Sequence, residues 1–160
     1  MLRKIYLLLG TFRNQFFTTV MKLFIGELGR NLRVYGKVRF SNPDQITIGH
    51  DCKFNEGVYL HGPGGITIGN NVTFSAFSQV YTSGYQISLS GIKNKTHINK
   101  PVKIGDNAWI CASSIILPGV QITGTNVVIS AGAVLSQDVS ESNVIYGGVP
   151  AKKIGAVEGL

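Results

Sequence analysis

A chain of 160 residues can bury the core of one domain but not of two. Only 14% of the residues are charged while 20 are glycine, a composition suited to strands and turns that argues against a helical bundle. The net charge of +7 lies within residues 1–40, where Arg3, Lys4, Arg13, Lys22, Arg30, Arg33, Lys37 and Arg39 face Glu27 alone; the rest of the chain sums to zero, which leaves no basic stripe to track a nucleic acid backbone.

Ile5, Leu8, Leu9, Phe12, Phe16, Val20, Leu23 and Phe24 recur at three- and four-residue intervals. This spacing predicts a basic amphipathic α-helix of about five or six turns within residues 1–31, with Gly26 and Gly29 as stop signals. Two readings of it stand side by side. Residues 1–25 lie in the headgroup plane of an anionic membrane, each basic side chain contributing about 1 kcal/mol, or the apolar face packs on the rest of the protein or on another subunit. No apolar run approaches the roughly 18 residues that span a bilayer, and no cleavage-like pattern follows the first apolar run. The expectation is a cytoplasmic protein, peripheral at the inner membrane surface on the first of the two readings. Cys52 and Cys111 have no metal-ligand spacing and read as small buried residues of a reducing compartment.

From Ile48 onward an aliphatic or aromatic residue returns every sixth position: Ile48, Phe54 and Leu60, then Ile68, Phe74 and Val80, then Ile104, Ile110, Ile116 and Ile122. Four residues after each of these except Ile122 stands a small or β-branched residue, such as Cys52, Val58, Val72, Ser78, Ala108, Ser114 and Val120. A period of six is neither helical nor that of an alternating strand. It fits short strands joined by regular corners, three to a triangular coil of about eighteen residues, with each strand pairing in parallel with its equivalent in the next coil. Gly69-Asn70-Asn71 and Gly105-Asp106-Asn107 supply the turn conformations.

The period breaks at His61-Gly62-Pro63-Gly64-Gly65, read as a bulged corner, and between Ser83 and Asn99, read as a protruding loop. After Ile122 a one-residue insertion places Ile129 and Leu135 inside, with Ala133 and Val139 at the small positions; continuing at six would bury Asn126 without a partner. The coil domain is expected over residues 32–154, followed by a tail at 155–160.

The segments KPVKIGDNAWI (100–110), IILPGVQI (115–122), SAGAVLSQDV (130–139) and GGVPAKKI (147–154) occur in this order. With them the chain from about Val34 to Ile154 resembles the hexapeptide-repeat acyltransferases, in particular the maltose and galactoside O-acetyltransferases and polysaccharide-modifying relatives. The resemblance implies an all-β fold, a left-handed parallel β-helix of hexapeptide repeats, which is an exception to the usual right-handed crossover. It also implies a homotrimer with acetyl-CoA, as acyl donor, in the groove between neighbouring prisms. By resemblance Ala112, Ala131, Ser136 and Lys152 fall where relatives contact the cofactor, and Asn55 where relatives place a substrate-contacting Asn. Gly147, Gly148 and Pro150 permit a close backbone approach, and Lys152 and Lys153 offer cations for coenzyme A phosphates; a solvated basic end of the coil is the other reading of the same residues.

Acetyl transfer from a thioester to a hydroxyl needs a general base and a stabilised oxyanion. The histidines are His50, His61 and His97. The resembling enzymes carry the base as the His of a TxGH-like stretch, where this chain has Thr82-Ser83-Gly84-Tyr85. A phenol titrates near pH 10 and is a poor base at neutral pH. The expectation is that His97, on the same protruding segment as Tyr85, takes the proton from the acceptor for direct attack on acetyl-CoA, with no acyl-enzyme. His50 and His61 read as corner residues, and the three histidines lack the spacing of a metal site, so no metal is expected. The functional reading is an acetyl-CoA-dependent O-acetyltransferase for a sugar hydroxyl of a polysaccharide, lipopolysaccharide or lipid-linked glycan. The alternatives are N-acyl transfer to an amino sugar nucleotide, or a catalytically silent trimeric scaffold in glycan assembly.

Overall fold

The computed structural model describes residue 20, residues 23–88 and residues 91–158. Its strands form three parallel faces of a triangular prism, visited in turn by every coil. The first face stacks Glu27–Leu28, Ile46–Ile48, Ile66–Ile68, Val102–Ile104 and Gln121–Ile122. The second stacks Arg33–Tyr35, Lys53–Asn55, Thr73–Phe74, Trp109–Ile110, Val127–Ile129 and Val144–Gly147, and the third stacks Arg39–Ser41, Tyr59–His61, Gln79–Tyr81, Ile115–Ile116 and Val134–Leu135. This is the triangular parallel coil expected from the repeat and the left-handed β-helix that the resemblance implies.

The hexad residues stack in register through the interior. Ile48, Ile68, Ile104 and Ile122 pair down the first face, Phe54, Phe74, Ile110 and Ile129 down the second, and Leu60, Val80, Ile116 and Leu135 down the third. All are buried. Phe54 and Phe74 meet edge to face with ring centroids 5.0 Å apart, the arrangement that the aromatic quadrupole favours. Where the small position carries a hydroxyl, it is satisfied locally: Ser78 Oγ donates to the Ser75 carbonyl and Ser114 Oγ to the Cys111 carbonyl, both at 2.7 Å, so neither is buried without a partner. Cys52 is fully buried, and burial pushes its thiol above the ordinary range, with the charges of Asp51 and Asp106 adding to the rise against a backbone hydrogen bond that lowers it. Cys111 is only partly buried, at the corner after Ile110 rather than in the interior.

The corner between the first and second faces repeats one device. Gly29, Gly49, Gly69, Gly105 and Gly124 stack so closely that a Cβ on Gly49 would run into the Gly69 carbonyl, and one on Gly105 into that of Gly124. Two residues later Asn31, Asp51, Asn71, Asn107 and Asn126 have φ between 54° and 61°, the left-handed region that Asn and Asp tolerate better than other side chains. These side chains also join the coils. Asn31 Nδ2 donates to Asp51 Oδ1 at 3.0 Å, Asn71 Nδ2 to Asn107 Oδ1 at 2.9 Å, and Asn126 Nδ2 to Asn143 Oδ1 at 2.8 Å.

The structure corrects the sequence expectation in four places. Coils early in the chain advance 20 residues, as from Ile46 to Ile66 or Arg33 to Lys53, rather than eighteen. The addition that the period did not show is the short 3-10 turn Pro43–Gln45; the bulge after His61, at the same corner leading back to the first face, is the one expected from the broken period. Glu27–Leu28 already pairs with the first face and Gly26 N–H donates to the Pro43 carbonyl, so the coil begins ahead of residue 32. The helix expected earlier in the chain lies outside the described residues, and no helix among the described residues is long and apolar enough to cross a membrane. Lys152–Ala156 turns back antiparallel on Val144–Gly147, so the fold continues past Ile154. The described residues of the segment expected as a loop form a two-stranded antiparallel ribbon, in which Ser83–Ser88 pairs with Gly91–Asn99. Backbone that leaves the prism has lost its neighbours in the stack, and the ribbon restores hydrogen-bond partners to it. The one-residue slip after Ile122 is present, with Ile110 opposite Ile129 and Ala133 and Val139 buried.

Phe74→Ala removes a fully buried ring and should cost about 3–5 kcal/mol in denaturant unfolding. Asn71→Ala should cost about 1–2 kcal/mol through its left-handed backbone, and Asn71→Gly less than Asn71→Ala, because glycine adopts that backbone freely.

Candidate active site

The ribbon is rooted by one threonine. Thr82 is buried at the end of the third face, where its Oγ1 donates to the His61 carbonyl and accepts the Gly64 N–H, each at 2.8 Å. Its own carbonyl accepts the Lys100 N–H at 2.7 Å, closing the two strands at their base. From this root Ser83 pairs with Asn99, Gly84 with Ile98, and Tyr85 with His97. The two residues singled out from the sequence are therefore direct cross-strand neighbours. Their rings stand edge to face, 84° apart with centroids at 5.3 Å, and both side chains are exposed. The alternation of Ile92, Thr96 and Ile98 was the sequence signal for a strand here.

His61 sits at the foot of the ribbon, where the third face meets the corner from which the ribbon springs. It is half-buried at the end of Tyr59–His61, with Nδ1 3.1 Å from Ser83 Oγ and its ring beside those of Tyr59 and Tyr81. The spacing Tyr59, His61, Tyr81 is that of outward positions on one face, a signal that the sequence carried. His50 is a corner residue, as expected: its Nδ1 accepts the Arg30 N–H at 2.8 Å.

The remaining candidates divide between two corners. Asn55 ends a second-face strand and donates from Nδ2 to the Phe74 carbonyl at 3.0 Å. Ala112 and Ala131 follow it down the corner between the second and third faces, linked by the Gly132 N–H to the Ala112 carbonyl at 2.9 Å. Ser136 lies at the other end of the third face, on the corner from which the ribbon springs. Lys152 stands on the antiparallel edge strand with Nζ 3.4 Å from Gln137 Oε1, which brings it beside Ser136. Lys153 pairs with Glu141. The segment from Gly147 crosses the last third-face strand, with Val134 N–H donating to Gly148 and Ala151 N–H to Val134. A single prism thus brings Tyr85 and His97 together and Ala112 and Ala131 together, but holds the two sets on different corners.

Residues 101–137 match the family model described as the hexapeptide repeat of succinyl-transferase. The Escherichia coli galactoside O-acetyltransferase is 32% identical over 136 residues, which cover 85% of this chain and 66% of that one. The crystal structure of a maltose O-acetyltransferase from Clostridium difficile superposes with a TM-score of 0.78 at 30% identity, over 89% of this chain and 75% of that one. This chain belongs to the hexapeptide-repeat acetyltransferases. Another member, from Vibrio cholerae and complexed with acetyl-CoA, superposes with a TM-score of 0.80 at 27% identity, over 89% of this chain and 76% of that one. The chain spans about half the length of other relatives it matches, 55% of one from Saccharomyces cerevisiae and 44% of one from Schizosaccharomyces pombe.

In this member the root of the ribbon should be sensitive to a single hydroxyl. Thr82→Val leaves the Gly64 N–H without its acceptor and should cost about 1–3 kcal/mol, read as a lower unfolding midpoint and faster amide exchange at Gly64, whereas Thr82→Ser should stay close to the parent.

Proposed function

We propose that this chain is an acetyl-CoA-dependent O-acetyltransferase that acetylates a sugar hydroxyl of a polysaccharide, lipopolysaccharide or lipid-linked glycan. The observation that carries the reading is the Tyr85–His97 pair, held ring against ring on a ribbon that stands off a rigid prism. His97 takes the proton of the acceptor hydroxyl as its oxygen attacks the thioester carbonyl. The tetrahedral intermediate collapses, the C–S bond breaks, and the imidazolium returns the proton to the departing thiolate. Tyr85 fixes the plane of the imidazole, and its hydroxyl is a donor for the developing oxyanion.

Acetyl-CoA enters as acyl donor, with Ala112 and Ala131 offering a close backbone approach, Ser136 a hydroxyl and Lys152 a cation for phosphate. Asn55 supplies an amide to the acceptor. The division of these residues between two corners supports a homotrimer in which the ribbon of one protomer reaches the corner of the next. The relatives named for galactoside and maltose favour a sugar acceptor. The same reading puts the enzyme in the cytoplasm, with residues 1–25 against an anionic membrane surface where lipid-linked acceptors are held.

His97→Ala should lower kcat for acetyl transfer by about 10²- to 10⁴-fold while coenzyme A binding, measured by calorimetry, persists; full activity in this variant removes His97 as the base. Tyr85→Phe should lower kcat less than His97→Ala. Hydroxyl and amine acceptors assayed in parallel separate O- from N-transfer, and mixed trimers of His97→Ala and Asn55→Ala subunits should regain activity that neither homotrimer has. Mixed trimers as inactive as their parents would place the site within one prism.

A further inference from the structure

The outward positions of the second face follow one register column: Arg33 beside Lys53, Lys53 beside Thr73, and Thr73 beside Trp109. Beside it Tyr35 pairs with Asn55. Two features of this surface are costly in isolation. Arg33 and Lys53 are like charges on adjacent strands in direct register, an arrangement that destabilises a sheet, and the one ion pair among the described residues is Lys153–Glu141, on the far coils. Arg39, by contrast, is engaged over the Tyr59 ring.

The second feature is apolar. Tyr35 and Trp109 are 51% exposed, and Phe77, at the corner that follows, is 57% exposed. Phe77 is held there with φ of 60° by packing its ring on Gly57, where any Cβ would strike it. The strands and corner next to Asn55 on the first coils thus carry Arg33 and Lys53, with no ion pair among the described residues, and the half-exposed rings of Tyr35 and Phe77, in a chain whose positive charge is concentrated in residues 1–40.

We infer that this surface is an acceptor subsite for an acid-bearing sugar, with Arg33 and Lys53 binding its carboxylate or phosphate and the rings of Tyr35 and Phe77 supporting its C–H faces. The inference rests on the proposed O-acetyl transfer and names its substrate class. Guanidinium and ammonium groups pair with carboxylate and phosphate oxygens through charge-assisted hydrogen bonds, and an aromatic face beside a hydrogen-bonding amide suits a ring that is apolar on its faces and polar on its rim. The phosphates of coenzyme A are not the natural occupant. The strands of Arg33 and Lys152 are the first and last of a seven-stranded sheet, which at about 4.8 Å per strand separates them by about 29 Å.

Calorimetry on the full chain tests the assignment with three probes: a uronic-acid oligosaccharide, an uncharged oligosaccharide of the same length, and a nucleotide diphosphosugar. An acidic probe should bind at least about tenfold more tightly than the uncharged one, and more weakly as salt is raised. Arg33→Gln and Lys53→Gln should each weaken the acidic probe about tenfold, with little change for the uncharged one, whereas Lys103→Gln on the first face should change neither. Preference for the uronic acid identifies a carboxylate, and preference for the nucleotide sugar identifies a diphosphate. Equal binding of charged and uncharged probes, no binding of either acidic probe, or acidic binding unchanged in both variants, overturns the inference. The two readings fail separately: acidic binding that depends on Arg33 and Lys53 without acetyl transfer sinks the proposed reaction alone, and acetyl transfer without charge preference sinks the acid-bearing acceptor alone.

Discussion

Each coil of this prism leaves the first face and enters the second through a turn that has almost no freedom. In every coil but the last, where Glu141 stands, a glycine passes its neighbour in the next coil at a distance that excludes a side chain, and in all of them the backbone two residues later takes a left-handed conformation. The chain meets the second demand with Asn31, Asp51, Asn71, Asn107, Asn126 and Asn143, and uses several of their side chains to tie coil to coil. Register follows from this corner. Once Asn71 sits over Asn107, Phe74 must lie over Ile110 and Ile68 over Ile104, and the interior columns fall into line. A slip of one residue would expose the hexad side chains and strand the asparagines inside.

That corner also explains how much of the fold was legible in the sequence. The hexad residues and the Gly-x-Asn signals report the same geometry from inside and outside, so the stack from Ile48 to Leu135 could be read directly. The excess after His61 shows as a break in the period, whereas that of the first coil does not, because the Pro43–Gln45 turn precedes the first hexad at Ile48 and lies outside the interior columns. The ribbon is not legible as a strand pair because it falls outside the hexads, so the hexad rule is silent about it and only a faint alternation of Ile92, Thr96 and Ile98 remains. Cys111 reads as interior because it falls inside a repeat segment, yet it directly follows the hexad residue Ile110 and so faces the corner.

The candidate site was legible as a set of residues and not as an arrangement. Tyr85 and His97 are separated by the whole ribbon in sequence, and only the antiparallel register makes them partners. The pairing changes the meaning of the tyrosine that stands where resembling enzymes carry their histidine. It need not act as the base itself, since it lies against an imidazole on the facing strand. Conversely, the coil separates Asn55 from the ribbon by the width of its third face. The surroundings of His61, a corner residue by sequence, take shape only when successive coils are stacked and bring Tyr59, Tyr81 and Ser83 around it.

The strand Lys152–Ala156 gives the prism a finite length. A parallel solenoid whose last coil stayed open would offer its edge as a template on which further coils, or other molecules, could add. Here the second face ends on a strand laid in the opposite direction, out of register between Ile145 and Tyr146 and bearing Lys152 and Lys153. An incoming coil would meet the wrong strand polarity and a positive charge at the place where it needs a matching ladder. The same residues that close the fold therefore act as a stop against fibre-like growth.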